Sequence, residues 1–176
     1  SSAQITRTVT ISDTNIVGNA GISFLINHHL FSENYIDYTV PLNNTEIWQI
    51  TSTSGFSHPF HIHDVQFNIL TRNGVAPPAA EQGWKDVVLV KSNETVRFIT
   101  RFDDFADSTH KYMFHCHIAL HEDEGMMGQF IVKDLNAGIQ NVINTSGIRL
   151  YPNPAHDKIY CEVNGSTKIR QLLIFD

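Results

Sequence analysis

Turn-forming residues constrain this chain more than any other feature. Asn15, Gly18, Gly21, Asn43-Asn44, Gly55, Asn73-Gly74, Pro77-Pro78 and Asn93 recur at short intervals and divide the sequence into brief runs. The runs at 5–11, 22–26, 46–51, 64–70, 86–90, 95–100 and 129–132 are rich in β-branched and aromatic residues. Such residues suit a pleated, half-buried surface, while Gly, Asn and Pro supply the backbone angles of turns. No segment keeps a helical period for three turns, although single helical turns fit at 103–108 and 120–125. Many short strands with turns between them predict an all-β sandwich or barrel.

Hydrophobic residues make up 41% of the 176, which allows a sizeable core in one domain with a small appendix. No apolar run reaches the roughly 18 residues of a membrane-spanning helix, so no membrane span is expected. The net charge is -6, and it divides into -7 for residues 1–135 and +1 for 136–176. Nucleic acid would need a basic face, and none is expected here. The opening Ser1-Ser2-Ala3-Gln4 lacks an initiator Met and reads as a cut within a longer chain. No charged-then-apolar leader is present, so any signal peptide is expected to lie outside this sequence.

The texture changes after Lys133. Residues 136–147 are polar and Asn/Gly-rich, as in a linker, and they separate a domain at 1–135 from a β segment at 148–176. Strand-like runs at 158–163 and 168–175 are too few to bury a core alone.

The chemistry is concentrated in two stretches. Seven of the ten histidines fall between residues 58 and 121. The first stretch is His58-Pro-Phe-His61-Ile-His63, and the second runs from His115-Cys116-His117 through His121 and Glu122 to Met126-Met127. Side chains alternate between the faces of a strand. His61 and His63 therefore share one face and His58 takes the other. In the same way His115 and His117 share a face, and Cys116 points away from it. One face collects His58 and Cys116, with His121 and Met126 in a turn able to curl back. Two imidazoles, a thiolate and a distant thioether form the donor set of a blue-copper electron-transfer site. The other face collects His61, His63, His115 and His117, an all-imidazole set suited to oxygen-reactive copper. Plainer readings exist for each part: a solvated His-x-His pair, a small buried Cys, a core Met pair, or a structural zinc site. Two Cys offer one pairing, Cys116 with Cys161, which crosses the domain boundary and is not expected. His28-His29, His110 and His156 fit neither cluster and read as surface or packing residues.

Flanking segments carry a resemblance. They are Ile36-Asp-Tyr-Thr-Val-Pro-Leu42, Thr45-Glu-Ile-Trp-Gln49, Trp84-Lys-Asp86, Glu94-Thr-Val-Arg97 and Arg101-Phe-Asp-Asp-Phe-Ala-Asp107. With the two His-rich stretches, they make residues 5–133 similar to the C-terminal cupredoxin domain of multicopper oxidases of the laccase-like group. The resemblance implies an all-β, Greek-key β-sandwich of the cupredoxin type, with copper as cofactor. It implies a type 1 copper on His58, Cys116 and His121, with Met126 as axial donor in preference to Met127. It also implies His61 on the type 2 copper and His63, His115 and His117 on the type 3 pair. Glu122 resembles a family carboxylate credited with delivering protons to bound oxygen, although a solvated acid is equally compatible. Asp103, Asp104 and Asp107 read as a solvated face.

The family's trinuclear cluster draws on four His-x-His motifs, whereas this sequence holds two. The rest are expected from an N-terminal cupredoxin domain of the same or a neighbouring chain. The Ala119-Leu120 pair departs from the family's pattern, which often has a bulky residue and Glu there. The tail, Leu150-Tyr-Pro-Asn-Pro-Ala155 with residues 169–176, resembles the start of a type IX secretion sorting domain. That implies a secreted or surface-attached parent. The expected activity is transfer of electrons from a small reducing substrate to O2, with this chain alone inactive as an oxidase. An electron-transfer cupredoxin, or a copper-binding module without turnover, is the alternative.

Overall fold

The computed structural model describes residues 3–15, 21–135, 148–151, 158 and 160–163. The chain divides into two compact units, Ser1–Asp134 and Leu135–Asp176. In the first unit the strands are β1 (Ile5–Asn15), β2 (Ile22–Ile26), β3 (Tyr38–Pro41), β4 (Thr45–Ser52) and β5 (His58–Ile62). They continue with β6 (Phe67–Arg72), β7 (Val87–Val90), β8 (Thr95–Arg101), β9 (Asp107–Cys116) and β10 (Met127–Lys133), and the short helix α1 (Ala119–Asp123) precedes β10. The second unit contributes an antiparallel pair, β11 (Ile148–Tyr151) and β12 (Tyr160–Val163). The expected run at 168–175 and His156 lie outside the described residues.

The ten strands of the first unit form two five-stranded sheets. One is ordered β2-β1-β4-β8-β6 and the other β3-β10-β9-β5-β7. Strict alternation decides which face each strand buries. In β8 every second residue is buried, and β5 buries residues 58, 60 and 62. The two inner faces meet through large rings: Trp48 from the first sheet lies 5.6 Å from Phe114 and 5.9 Å from Phe130 of the second. Phe60 meets Phe98 across the same gap at 6.2 Å. These side chains are fully buried, and each contributes on the order of 2–3 kcal/mol of apolar transfer free energy. At the rim Arg7 holds the buried Glu46 by two hydrogen bonds, 2.7 and 2.9 Å long, and so fastens β1 to its parallel neighbour β4.

Two local expectations give way. The helical turn expected at 103–108 is absent, because β9 begins at Asp107, opposite Val132 of β10. Asp107 accepts the backbone N–H groups of Thr109 and His110, so pairing with β10 and this side-chain turn displace helix. The run expected to start at 64 begins instead at Phe67. Asp64 takes a positive φ of 74°, a left-handed conformation that breaks extended backbone. The helical turn expected at 120–125 overlaps α1.

Candidate metal centres

The second sheet carries a donor set on each face. Strands β5 and β9 pair antiparallel, with Phe60 opposite Cys116 and His61 opposite His115. Directly opposed residues point to the same side. His58 and Cys116 therefore join Phe60 on the core side, where they are 0% and 1% exposed. His61 and His115 lie on the outer side, with His63 and His117 one alternation away.

On the core side three donors converge. The Cys116 Sγ lies 3.6 Å from His58 Nδ1 and 3.5 Å from His121 Nδ1, and the two Nδ1 atoms are 3.2 Å apart. The other nitrogen of His58, Nε2, is 2.8 Å from Ser54 Oγ, which also accepts the Phe56 N–H. Donation from Nε2 to Ser54 leaves the Nδ1 lone pair facing the thiol. Burial, reinforced by neighbouring His121 and opposed by Asp13, pushes His58 down to about 4. Burial likewise lowers His121, against Glu124. It raises the Cys116 thiol, against a hydrogen bond from the Ile118 N–H, while Glu122 raises it further. Two imidazole nitrogens and a thiol converge on one point. A soft cation fits that donor set.

The cap of α1 positions the remaining candidates. The Gly125 N–H bonds to the Glu122 carbonyl at 2.9 Å, and the Met126 N–H bonds to the His121 carbonyl at 2.9 Å. This is the Schellman pattern, with Gly125 at φ 96°. It returns the chain so that the Met126 carbonyl accepts the Cys116 N–H at 3.2 Å. Met126 is fully buried. Met127 pairs opposite His115, so it belongs to the outer side of the sheet, away from Cys116.

On the outer side His61, His63 and His115 offer nitrogens within 4.8 Å of one another. The His117 ring lies 5.5 Å from that of His61 and 5.6 Å from that of His115, although it falls outside this tighter group. Hydrogen bonds fix the tautomers. The Asp86 carbonyl lies 2.7 Å from His61 Nδ1. The Cys116 carbonyl and Glu122 Oε2 lie 3.1 and 3.3 Å from His115 Nδ1. Carbonyl and carboxylate oxygens only accept, so each Nδ1 carries the proton and each Nε2 is left as a donor atom for a metal. Burial, then His115 and His61, lower His63, against Glu122.

Beside this set an open cleft of about 500 Å³ is lined in part by His61, His63, Asp64 and Tyr112. Both Asp64 oxygens are buried and without a hydrogen-bond partner among the described residues. Burial, then Asp104 and Asp103, raises that carboxyl to about 6. Asp103 and Asp104 are exposed, and Asp107 pairs with the exposed His110 at 2.6 Å. His28 is exposed, and His29 Nε2 lies 3.3 Å from Asp37. Cys116 is a free thiol. The Ser54 contact and the orphaned Asp64 carried no motif in the sequence, and Asp86 stood in a flanking motif with no role given to its carbonyl. Gly125 did carry a signal, as a glycine following a short polar turn.

The family model for multicopper oxidases matches residues 3–136, and the chain belongs to that family. It is 42% identical over 111 residues to a multicopper oxidase of Staphylococcus haemolyticus, an overlap covering 61% of this chain and 24% of that protein. It is 34% identical over 154 residues to a laccase of Haloferax volcanii, covering 84% and 26% of the two chains. A solved multicopper oxidase from Campylobacter jejuni, described as a metallo-oxidase, matches with a TM-score of 0.66 and 29% identity over 76% of this chain and 31% of that one. The fold is thus the cupredoxin-like β-sandwich of these oxidoreductases. The chain spans about a quarter of the length of the curated relatives it matches. Among the described residues no helix is long and apolar enough to cross a membrane.

Proposed function

We propose that this chain is the C-terminal cupredoxin domain of a laccase-like oxidase, holding one complete copper site and half of a second centre. His58, Cys116 and His121 would hold the type 1 ion, with Met126 as a further, weaker sulfur donor. His61 would serve the type 2 ion, and His63, His115 and His117 the type 3 pair. The remaining ligands would come from an N-terminal cupredoxin domain of the same or a neighbouring chain. When bound, copper supplies a one-electron couple at the thiolate set and the reduction of O2 to water at the imidazole set.

One observation carries this reading: two donor sets lie back to back on the same pair of strands. Cys116 faces the core while its chain neighbours His115 and His117 belong to the outer set. One peptide bond on either side therefore joins the thiolate to the imidazoles. His121 is less buried than His58 and is the proposed point of approach for a small reducing substrate. Glu122 is 38% exposed and lies 3.3 Å from His115 Nδ1. It gives that proton an acceptor in touch with solvent, consistent with proton delivery to the outer face.

Copper loading tests the proposal. The expected outcome is about one tightly held copper per chain with an intense blue thiolate band, abolished by Cys116→Ser. A reduced Cys116 with no band in the loaded chain overturns the thiolate assignment. A parent protein that shows the band but takes up no O2 would instead be an electron-transfer or copper-binding module. We also propose that the parent is secreted or surface-attached through a type IX sorting module beginning within 148–176. Fractionation of cells expressing the parent with and without that segment checks this, with retention of the truncated form expected.

A further inference from the structure

The two imidazoles of the thiolate set are held in different ways. His58 has a hydrogen-bond partner for its second nitrogen, the Oγ of buried Ser54 at 2.8 Å. Metal-binding histidines usually have such a partner, which fixes the plane of the ring. His121 has none at Nε2 among the described residues; its Nδ1 is the nitrogen that faces Cys116 Sγ and His58 Nδ1. Its ring is instead covered by Phe24. The two rings stack at a centroid distance of 3.8 Å and an interplanar angle of 26°. Phe24 also meets the edge of His58 at 5.7 Å and 66°, and it is 7% exposed.

Phe24 comes from the opposite sheet. It lies on β2 and pairs with Asp13 of β1, and the Asp13 carboxylate accepts the Gly55 N–H at 2.9 Å, just ahead of His58. The first sheet thus reaches across the end of the sandwich to touch both imidazoles, one carried by β5 of the second sheet and the other by α1. An aromatic face resists rotation of a stacked ring about its Cβ–Cγ bond without competing for its nitrogens. We propose that Phe24 is a positioning residue that sets the plane of His121, the role Ser54 plays for His58 by a hydrogen bond. This rests on the thiolate copper reading above.

The test uses the full chain with Cu(II) as the only probe, in the wild type, Phe24→Leu and Phe24→Tyr. Ile26→Val, a core change on the same strand at a fully buried position, serves as the stability control. For Phe24→Leu the expected result is a shifted blue band, an altered copper hyperfine splitting and Cu(II) affinity reduced by about 10- to 100-fold, the usual effect of losing a group that orients a ligand. Phe24→Tyr keeps the ring and retains the wild-type spectrum. Ile26→Val lowers the unfolding temperature and leaves the spectrum alone. A Phe24→Leu protein that is merely less stable, with the band, splitting and affinity of the wild type, overturns the inference. If Phe24→Leu does not fold, Phe24→Met decides on the same readouts. A wild type without the band would refute the copper reading itself, which separates the two failures.

Discussion

Asp64 departs furthest from what its surroundings favour. Its carboxylate is buried without a hydrogen-bond partner among the described residues, its backbone is left-handed, and Asp104 and Asp103 add their fields to the cost of burial. The pKa is therefore higher in the folded chain, about 6, than the ordinary 3.8. Between those values the folded state binds the extra proton, so stability falls as pH rises through the window and is lowest above pH 6. Asn accepts the left-handed conformation and carries no charge. Asp64→Asn in the metal-free chain is expected to gain about 1–2 kcal/mol at pH 7.5, a two-unit shift discounted for solvent screening. The gain should shrink below pH 5. Urea unfolding at both pH values, with a chelator present, checks this; an equal effect at both would mean that the charge is not the cause. Nothing in the sequence pointed to Asp64, because its cost comes first from burial and then from the loop at 103–104, distant in sequence and close in space. The parity of His58 against His61 and His63 was legible, by contrast, since alternation is a property of the strand itself.

At the level of elements, the short helix α1 and its cap decide whether Met126 returns to Cys116. Gly125 sits at φ 96°, and a Cβ there would come within 3.3 Å of the Phe31 nitrogen. That nitrogen donates to the Gly125 carbonyl at 3.0 Å. Gly125→Ala therefore meets backbone strain and a crowded neighbour together, and should cost about 1–2 kcal/mol of stability. It should also disturb the Met126 carbonyl contact with the Cys116 N–H, and so weaken copper uptake at the thiolate set. The measurements are thermal unfolding and the blue band in copper titration; a variant that loses stability with unchanged copper uptake would show that the cap serves only the fold. The helical turn was readable from 120–125 because its signals are local. The turn expected at 103–108 failed because β10 captures Asp107 through long-range pairing, which no local pattern records.

For the whole molecule, the outer face of the second sheet looks like half of an interface. His61 lies opposite Val87 of β7, and Pro59 lies opposite Leu89, so Val87 and Leu89 flank the imidazoles on the same side. Leu89 is 45% exposed. Apolar residues beside an imidazole set suit burial against another domain, as the proposed function requires. The two faces should then separate by experiment. Leu89→Lys would put a charge into the buried contact and forfeit about 1.5–3 kcal/mol of Leu burial, which lowers oxygen uptake by the parent about tenfold or more. Leu89 lies across the sheet from Cys116, so the blue band of the same variant should stay at wild-type intensity. Oxygen uptake and the band measured on one preparation of the parent make the comparison. Loss of both would mean that Leu89 supports the fold of this domain. Retention of both would mean that the partner domain meets a different face. Loss of oxygen uptake alone is the result expected if, as proposed, only the outer donors take their remaining ligands from a second domain.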